Sequence, residues 1–181
     1  MKRVILVSAL VILGGFSLAC GVGGTSASPS DDNPPSSGKT PTQDESSGPL
    51  TLTVGKSMKV ESDGATATVT LVSAKSYDQD QTPGFPQEPQ NGVFEVISVK
   101  AVSTKGQFPV NPFYFKLVGP SGQAYETTPA TFDPQLNAVN LNAGQNTSGN
   151  VVFDVPKSAI AKGAKIEISD ALDNPYGYWK L

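Results

Sequence analysis

The clearest indication of the fold class is the segment Ala65-Thr66-Ala67-Thr68-Val69-Thr70-Leu71-Val72. Its residues alternate strictly: threonine fills most positions on one side of an extended chain, and the other side carries Ala65, Ala67, Val69 and Leu71. Period-two alternation predicts a β-strand with one buried face. Threonine and valine are β-branched and suit a pleated sheet. We therefore predict a half-buried strand at this place in the chain.

The longest strand candidate follows at residues 93–104. One of its faces carries Ile97, Val99 and Ala101. Phe94 and Val96 fall on the opposite face, which would otherwise be polar. Because successive side chains of a strand point to opposite sides, we expect the first half of this strand to be covered on both faces.

The other strand candidates are short and are bounded by glycine, proline or asparagine, which interrupt or end strands. They are the segments 112–118, 123–127, 138–141, 149–155, 166–168 and 176–181. In the segment 112–118 we expect Phe113, Phe115 and Leu117 to share one face. Residues 158–162 are the one credible helical turn, which Gly163 would end.

Eight or nine short strands at this spacing, without alternating helices, predict an all-β protein. The absence of β-α-β alternation leaves nothing to connect a parallel sheet. We therefore expect residues 50–181 to form one antiparallel β-sandwich domain.

The segment Gly149-Asn150-Val151-Val152-Phe153-Asp154-Val155-Pro156, preceded by residues 141–144, resembles a motif of a known family. That family is a bacterial secreted domain of unknown function, grouped with the immunoprotective extracellular, telokin-like immunoglobulin folds. Residues 94–102 and 111–117 resemble it too. Where the family often has asparagine at the turn of the long strand, this chain has Ser103, whose hydroxyl can also cap a turn. The resemblance implies an immunoglobulin-like β-sandwich, often lipid-anchored or secreted, and no catalytic residue.

The first 19 residues have the pattern of a secretory signal peptide, with Lys2 and Arg3 before the apolar run 4–16. A transmembrane helix needs about 20 apolar residues, and this run is shorter. Leu18-Ala19-Cys20-Gly21 resembles the lipobox of bacterial lipoproteins, which implies cleavage before Cys20 and a lipid on its sulfur. Cys20 is the only cysteine, so the chain forms no internal disulfide. We expect a cell-membrane lipoprotein, held in the bilayer by acylated Cys20 on the extracytoplasmic face.

Residues 20–49 change in composition to glycine, serine, threonine and proline, with no aromatic residue. Such a segment buries too little apolar surface to offset its ordering entropy. The sequence thus predicts three parts: a signal peptide (1–19), a lipidated cysteine with a disordered linker (20–49), and the β-sandwich (50–181).

Chemical signatures are scarce in this sequence. Histidine is absent, which removes the commonest general base and metal ligand. The formal net charge is -3 and no basic stripe is present, so a nucleic-acid partner is disfavoured. We expect no catalysis and no cofactor.

Two acidic loops are the candidate metal sites. Asp78 and Asp80 lie in the loop 77–91, and Asp170 and Asp173 lie near the end of the chain. Carboxylate oxygens are the ligands that calcium prefers. Neither cluster matches the twelve-residue calcium loop, and a solvated acidic loop is the commoner explanation of such a pattern.

Several aromatic residues are candidates for contact surfaces. Phe85 lies in the loop 77–91, and Tyr114 is on the polar face of its strand. Tyrosine and phenylalanine are enriched at interfaces. The alternative is that Phe85, like Phe108, folds back and closes an end of the sandwich. Near the C-terminus an aromatic group could form a carbohydrate-stacking platform or complete the core: Tyr176, Tyr178 and Trp179.

The functional prediction combines these features. We expect a membrane-anchored extracytoplasmic lipoprotein that displays an immunoglobulin-like domain for contacts with an unidentified envelope or extracellular protein. The alternative is an extracytoplasmic module that binds a small ligand or calcium.

Overall fold

The computed structural model describes residues 49–181. The predicted signal peptide and lipidated Cys20 lie outside the described residues, as does the linker up to residue 48. The described chain contains eleven strands. They are β1 (Leu50–Thr53), β2 (Ser57–Ser62), β3 (Ala65–Tyr77), β4 (Val93–Lys105), β5 (Gln107–Val110), β6 (Phe115–Val118), β7 (Ala124–Tyr125), β8 (Val139–Asn142), β9 (Asn146–Val155), β10 (Lys165–Ser169) and β11 (Pro175–Lys180).

The strands form two main sheets and a small ribbon. One sheet has the order β2-β3-β4-β9, the other has the order β1-β11-β10-β6-β7, and β5 pairs with β8 alone. A single cluster of buried side chains draws from both main sheets, with Leu71 and Val99 on one side and Ile166 and Trp179 on the other. This arrangement is a β-sandwich and confirms the predicted fold class.

The direction of one strand departs from the prediction of an antiparallel sandwich. β1 runs parallel to β11, with Leu50 opposite Gly177, whereas the other ladders between the named strands are antiparallel. β1 and β11 lie at opposite ends of the described chain. No tight hairpin joins them, so the connection does not impose an antiparallel direction.

The first half of the long strand β4 is covered on both faces, as its sequence predicted. One face joins the core between the sheets, where Ile97 and Ala101 are fully buried. On the other face Phe94 and Val96 form a second cluster with Phe132 and Val152. The rings of Phe94 and Phe132 meet edge to face, with their centroids 5.8 Å apart.

The prediction for residues 112–118 is partly wrong. Pro112–Tyr114 form a turn of 3-10 helix, and only Phe115–Val118 form a strand. Asn111 explains the turn, because its side-chain oxygen accepts the N–H of Phe113 at 3.0 Å and a proline follows it. Phe113 therefore leaves the expected buried face and is 67% exposed.

Other local predictions fare better. The helical turn forms at Lys157–Ile160, as a 3-10 helix that ends before Gly163. Ser103 is buried, and its hydroxyl donates to the carbonyl of Gly106 at 3.4 Å, as a turn cap should. Strands β1, β2 and β5 had no counterpart among the predicted segments.

The C-terminal strand is anchored by Trp179, which is fully buried and completes the core. Its indole nitrogen donates to the carbonyl of Lys56 at 2.8 Å. A buried indole needs such an acceptor. The carbohydrate-platform hypothesis is therefore wrong for Trp179.

A close backbone crossing explains the glycine that opens the family-like motif. The N–H of Leu136 donates to Asn150 O at 2.9 Å, and the N–H of Asn150 donates to Pro134 O at 2.8 Å. This brings residues 134–136 directly over β9 at Gly149. A Cβ at Gly149 would overlap the backbone of Leu136.

We predict that Gly149→Ala destabilises the protein by about 1–3 kcal/mol, the usual cost of overpacking a close contact. The side chain cannot be accommodated without separating residues 134–136 from β9. The measurement is the urea unfolding midpoint of the variant and of the wild type.

The matched control is Gly119→Ala, because a Cβ at Gly119 would come no closer than 3.4 Å to its nearest neighbour, Ala159 O. Its midpoint should stay near that of the wild type. Equal midpoints for both variants would contradict the crossing.

Candidate functional site

A buried carboxylate organises the loop between β3 and β4. We call residues 78–92 the Phe85 loop. Asp80 in this loop is only 4% exposed. One of its oxygens accepts the N–H groups of Thr82 at 3.1 Å and Gln87 at 2.8 Å. The other accepts the Thr82 hydroxyl at 2.8 Å and the N–H of Thr131 at 3.3 Å.

These donors keep Asp80 ionised. The hydrogen bond from the Gln87 N–H, followed by those from Thr82 and Thr131, outweighs the cost of desolvation and lowers the pKa of Asp80 to about 2. A carboxylate that accepts several N–H bonds is stabilised in its charged form. The charge of Asp80 therefore belongs to the architecture of the loop.

Backbone hydrogen bonds close the base of the same loop. The N–H of Asp80 donates to Gln87 O, and the N–H of Gln81 donates to Thr131 O, both at 2.8 Å. Further along, the carboxylate of Asp154 on β9 accepts the N–H groups of Gln90 and Asn91 at 2.8 and 2.9 Å. The Phe85 loop is thus tied to its surroundings at several points.

Phe85 lies at the tip of this tethered loop, between Gly84 and Pro86. Its exposed fraction is 84%, so the alternative that Phe85 folds back over the sandwich is wrong. Phe108, by contrast, is buried in β5, as that alternative expected. The predicted interaction candidate is therefore a phenylalanine presented to solvent by an ordered loop.

The second interaction candidate, Tyr114, lines a cavity between the two main sheets. We call this cavity the end pocket; its volume is about 180 Å³. Its floor belongs to the core, with Val69, Phe115 and Ile168, and Tyr176 from β11 completes the wall. Tyr114 is half-buried in this position and does not project freely from a strand.

Two aspartates contribute to the lining of the end pocket. Asp63 is exposed in the turn between β2 and β3. Asp170 begins the loop before β11, where one of its oxygens accepts the N–H groups of Leu172 at 2.8 Å and Asn174 at 2.9 Å. The side-chain amide of Asn174 donates to the other oxygen at 2.9 Å and is the main reason that the pKa of Asp170 is lowered.

The calcium candidates are engaged within the protein. Asp80 and Asp170 accept N–H groups of their own loops. Asp78 is 3.8 Å from Lys157 Nζ, and Asp173 is 2.9 Å from Lys116 Nζ. Across residues 49–181, no three acidic, histidine or cysteine side chains are grouped as a metal site. Calcium binding by these residues stays a prediction.

One buried acid was not among the site residues predicted from the sequence. Glu95 on β4 is 4% exposed, and the hydroxyl of Ser76 donates to its carboxylate. Burial raises the pKa of Glu95, and the Ser76 bond offsets only part of that effect. The burial of Glu95 could have been predicted, because Glu95 falls on the same face of β4 as Ile97 and Val99. A single acid with one hydroxyl partner forms no acid–base pair.

Residues 52–175 match the family described as a domain of unknown function, DUF4352. The match covers more than half of the chain, so the chain belongs to this family. This confirms the family resemblance inferred from the motif at residues 149–156.

Comparison with solved structures agrees with the fold. The chain is similar to MPT63, a secreted protein from Mycobacterium tuberculosis, with a TM-score of 0.59 and 15% identity over 75% of this chain and 100% of that one. It is also similar to the yjhA protein of Bacillus subtilis, with a TM-score of 0.51 and 12% identity over 65% of this chain and 81% of that one. At these identities the similarity establishes the fold alone.

No curated protein matches the chain in sequence. Within residues 49–181, no helix is long and apolar enough to cross a membrane.

We predict that Asp80→Asn lowers the stability of the protein and that the loss depends on pH. The pKa of Asp80 is about 2 in the folded state, below the usual 3.8. The ionised form therefore stabilises the fold above pH 3.8, and this contribution disappears as the pH falls from about 4 to 2. Urea unfolding at a series of pH values should show a gap between wild type and variant at pH 6 that closes near pH 2.

Asp78→Asn is the matched control, since its exposed carboxylate makes one long ion pair with Lys157. Its stability should remain close to that of the wild type at pH 6. A pH-independent gap for Asp80→Asn would show that the ionised carboxylate does not organise the loop.

Proposed function

We propose that this protein is a membrane-anchored, extracytoplasmic lipoprotein that presents its β-sandwich to a protein partner through the Phe85 loop. The observation that carries this proposal is the combination of a buried Asp80 carboxylate, which fixes the loop, and an 84% exposed Phe85 at its tip. Binding is the role that such a surface supports.

The anchor in this proposal rests on the sequence at Leu18-Ala19-Cys20. A lipid on Cys20 would hold the chain at the bilayer, and a second and third acyl chain would make the attachment stable. The linker of residues 20–49 would then place the sandwich about 30 Å from the lipid, the root-mean-square span of a flexible chain of that length. The secreted protein MPT63 has a similar fold, which supports an extracytoplasmic location for this chain as well.

The contact in this proposal rests on preorganisation. A loop that orders only on binding loses conformational entropy, which reduces affinity. The hydrogen bonds to Asp80 and Asp154 order this loop as the protein folds. A partner with an apolar pocket could then bury Phe85, and large aromatic side chains dominate the binding energy of many interfaces.

The contacts of the two buried acids also favour a binding role over catalysis. Asp80 is engaged by four donors, and Glu95 contacts a serine hydroxyl. Neither carboxyl is arranged beside a second titratable group, as general acid–base catalysis by a pair would require. We therefore propose a display module without catalysis.

The experiment is photo-crosslinking in intact cells, with a photoreactive amino acid at the exposed position of Glu88 in the Phe85 loop. The wild-type background should give a discrete crosslinked species in the membrane fraction. Phe85→Ala should remain in the membrane fraction and lose most of that species, because only the apolar contact has been removed. Cys20→Ala should leave the membrane fraction.

Phe113→Ala is the matched control, because Phe113 is also an exposed phenylalanine, at 67%, but lies in the 3-10 turn before β6. It should retain the crosslinked species. An unchanged crosslink in Phe85→Ala would refute the contact. A Cys20→Ala protein that stays in the detergent phase would refute the lipid anchor.

A further inference from the structure

The end pocket is an opening into the core between the two main sheets. Side chains that are buried in the core form its floor, among them Val69 and Ala101 from one sheet and Phe115 and Ile168 from the other. The floor of the pocket thus comes from strands that the fold already holds in place. An apolar group that entered the pocket would extend the core of the sandwich.

The volume of the end pocket limits what it accepts. The cavity is small, at about 180 Å³. Pockets for drug-sized ligands are larger, about 300–1,000 Å³. The buried part of a ligand is therefore a single ring or a short branched chain.

The charge of the pocket selects the polar part of the ligand. Two aspartates line the pocket, Asp63 and Asp170, and none of its lining residues is a lysine or an arginine. Among the ion pairs within residues 49–181, none involves either aspartate. The hydrogen bonds within its own loop keep Asp170 in the charged form. The negative charge at the pocket is thus not neutralised by a neighbouring cation.

Two tyrosines add a second feature that favours a cation. Tyr114 and Tyr176 both line the pocket and are half-buried. The face of an aromatic ring attracts an ammonium group. Carboxylates together with tyrosine rings, beside an apolar floor, suit a positively charged group on an apolar body.

We propose that the end pocket binds a small organic amine, whose single ring or short branched chain enters between the sheets while its protonated amine stays near Asp63, Asp170 and the two tyrosines. A carboxylate of the same shape is repelled by the aspartates. No residue of the Phe85 loop lines this pocket, so the inference stands apart from the proposed partner contact.

The test uses the full chain in a nonionic detergent and the probe 4-fluorophenethylamine, observed by fluorine NMR. The matched anion is 3-(4-fluorophenyl)propionate, which has the same ring and a similar length. The amine should bind saturably, more tightly than the anion, and less tightly as salt screens the aspartates. A detergent blank corrects for partitioning of the probe.

Two variants locate the binding. Asp63→Asn removes a charge from an exposed turn and should weaken the amine about two- to fivefold, the range of an exposed ion pair. Tyr114→Leu should also weaken it about two- to fivefold, through the loss of the ring face. Asp78→Asn, which removes a charge outside the pocket, should leave the affinity unchanged.

Asp63→Asn changes an exposed turn position that asparagine also tolerates, so this variant remains informative if Tyr114→Leu does not fold. The proposal is overturned if the amine and the anion bind alike. It is also overturned if millimolar amine shows no saturable binding, or if Asp63→Asn binds as the wild type does.

Discussion

The burial of the first half of β4 on both faces is the constraint on which the rest of this structure depends. One face completes the core between the sheets, and the other would expose Phe94 and Val96 if nothing covered them. The segment that carries Phe132 provides this cover. Because the cover must lie close to β9, the chain needs Gly149 where the two backbones cross. The apolar residues on both faces of β4 thereby determine where the connection between β7 and β8 crosses the outer face of the sheet.

The same covering segment positions the candidate contact surface. Thr131, next to Phe132, donates its N–H to Asp80 and accepts the N–H of Gln81 through its carbonyl. The Phe85 loop is therefore attached to the part of the chain that protects β4. Asp170 has a similar role in its own loop, where it accepts the backbone N–H groups of Leu172 and Asn174. In both loops a carboxylate satisfies N–H groups that would otherwise lack acceptors, which is the usual function of aspartate in turns.

Much of the fold could be predicted, because alternation at residues 65–72 and 93–104 reports directly on burial. The exposure of Phe113 could not be predicted, because the side chain of Asn111 competes with the strand and starts a 3-10 turn instead. The parallel direction of β1 and the lining of the end pocket depend on contacts between residues far apart in the sequence. The role of Asp80 could be predicted only in part: Thr82 and Gln87 are near it in the sequence, but its fourth hydrogen bond comes from Thr131, 51 residues away. The exposure of Phe85 was left open by the sequence, because either burial or display suits a phenylalanine flanked by glycine and proline.

Asp80 holds the Phe85 loop in one ordered conformation. The decisive measurement is amide hydrogen exchange of the full chain at the Gln87 N–H, which donates to Asp80 at 2.8 Å. This amide should exchange slowly in the wild type, although the loop is at the surface, and fast in Asp80→Asn. Exchange of the Gln87 amide in the wild type at the rate of an unstructured peptide would show that Asp80 does not order the loop.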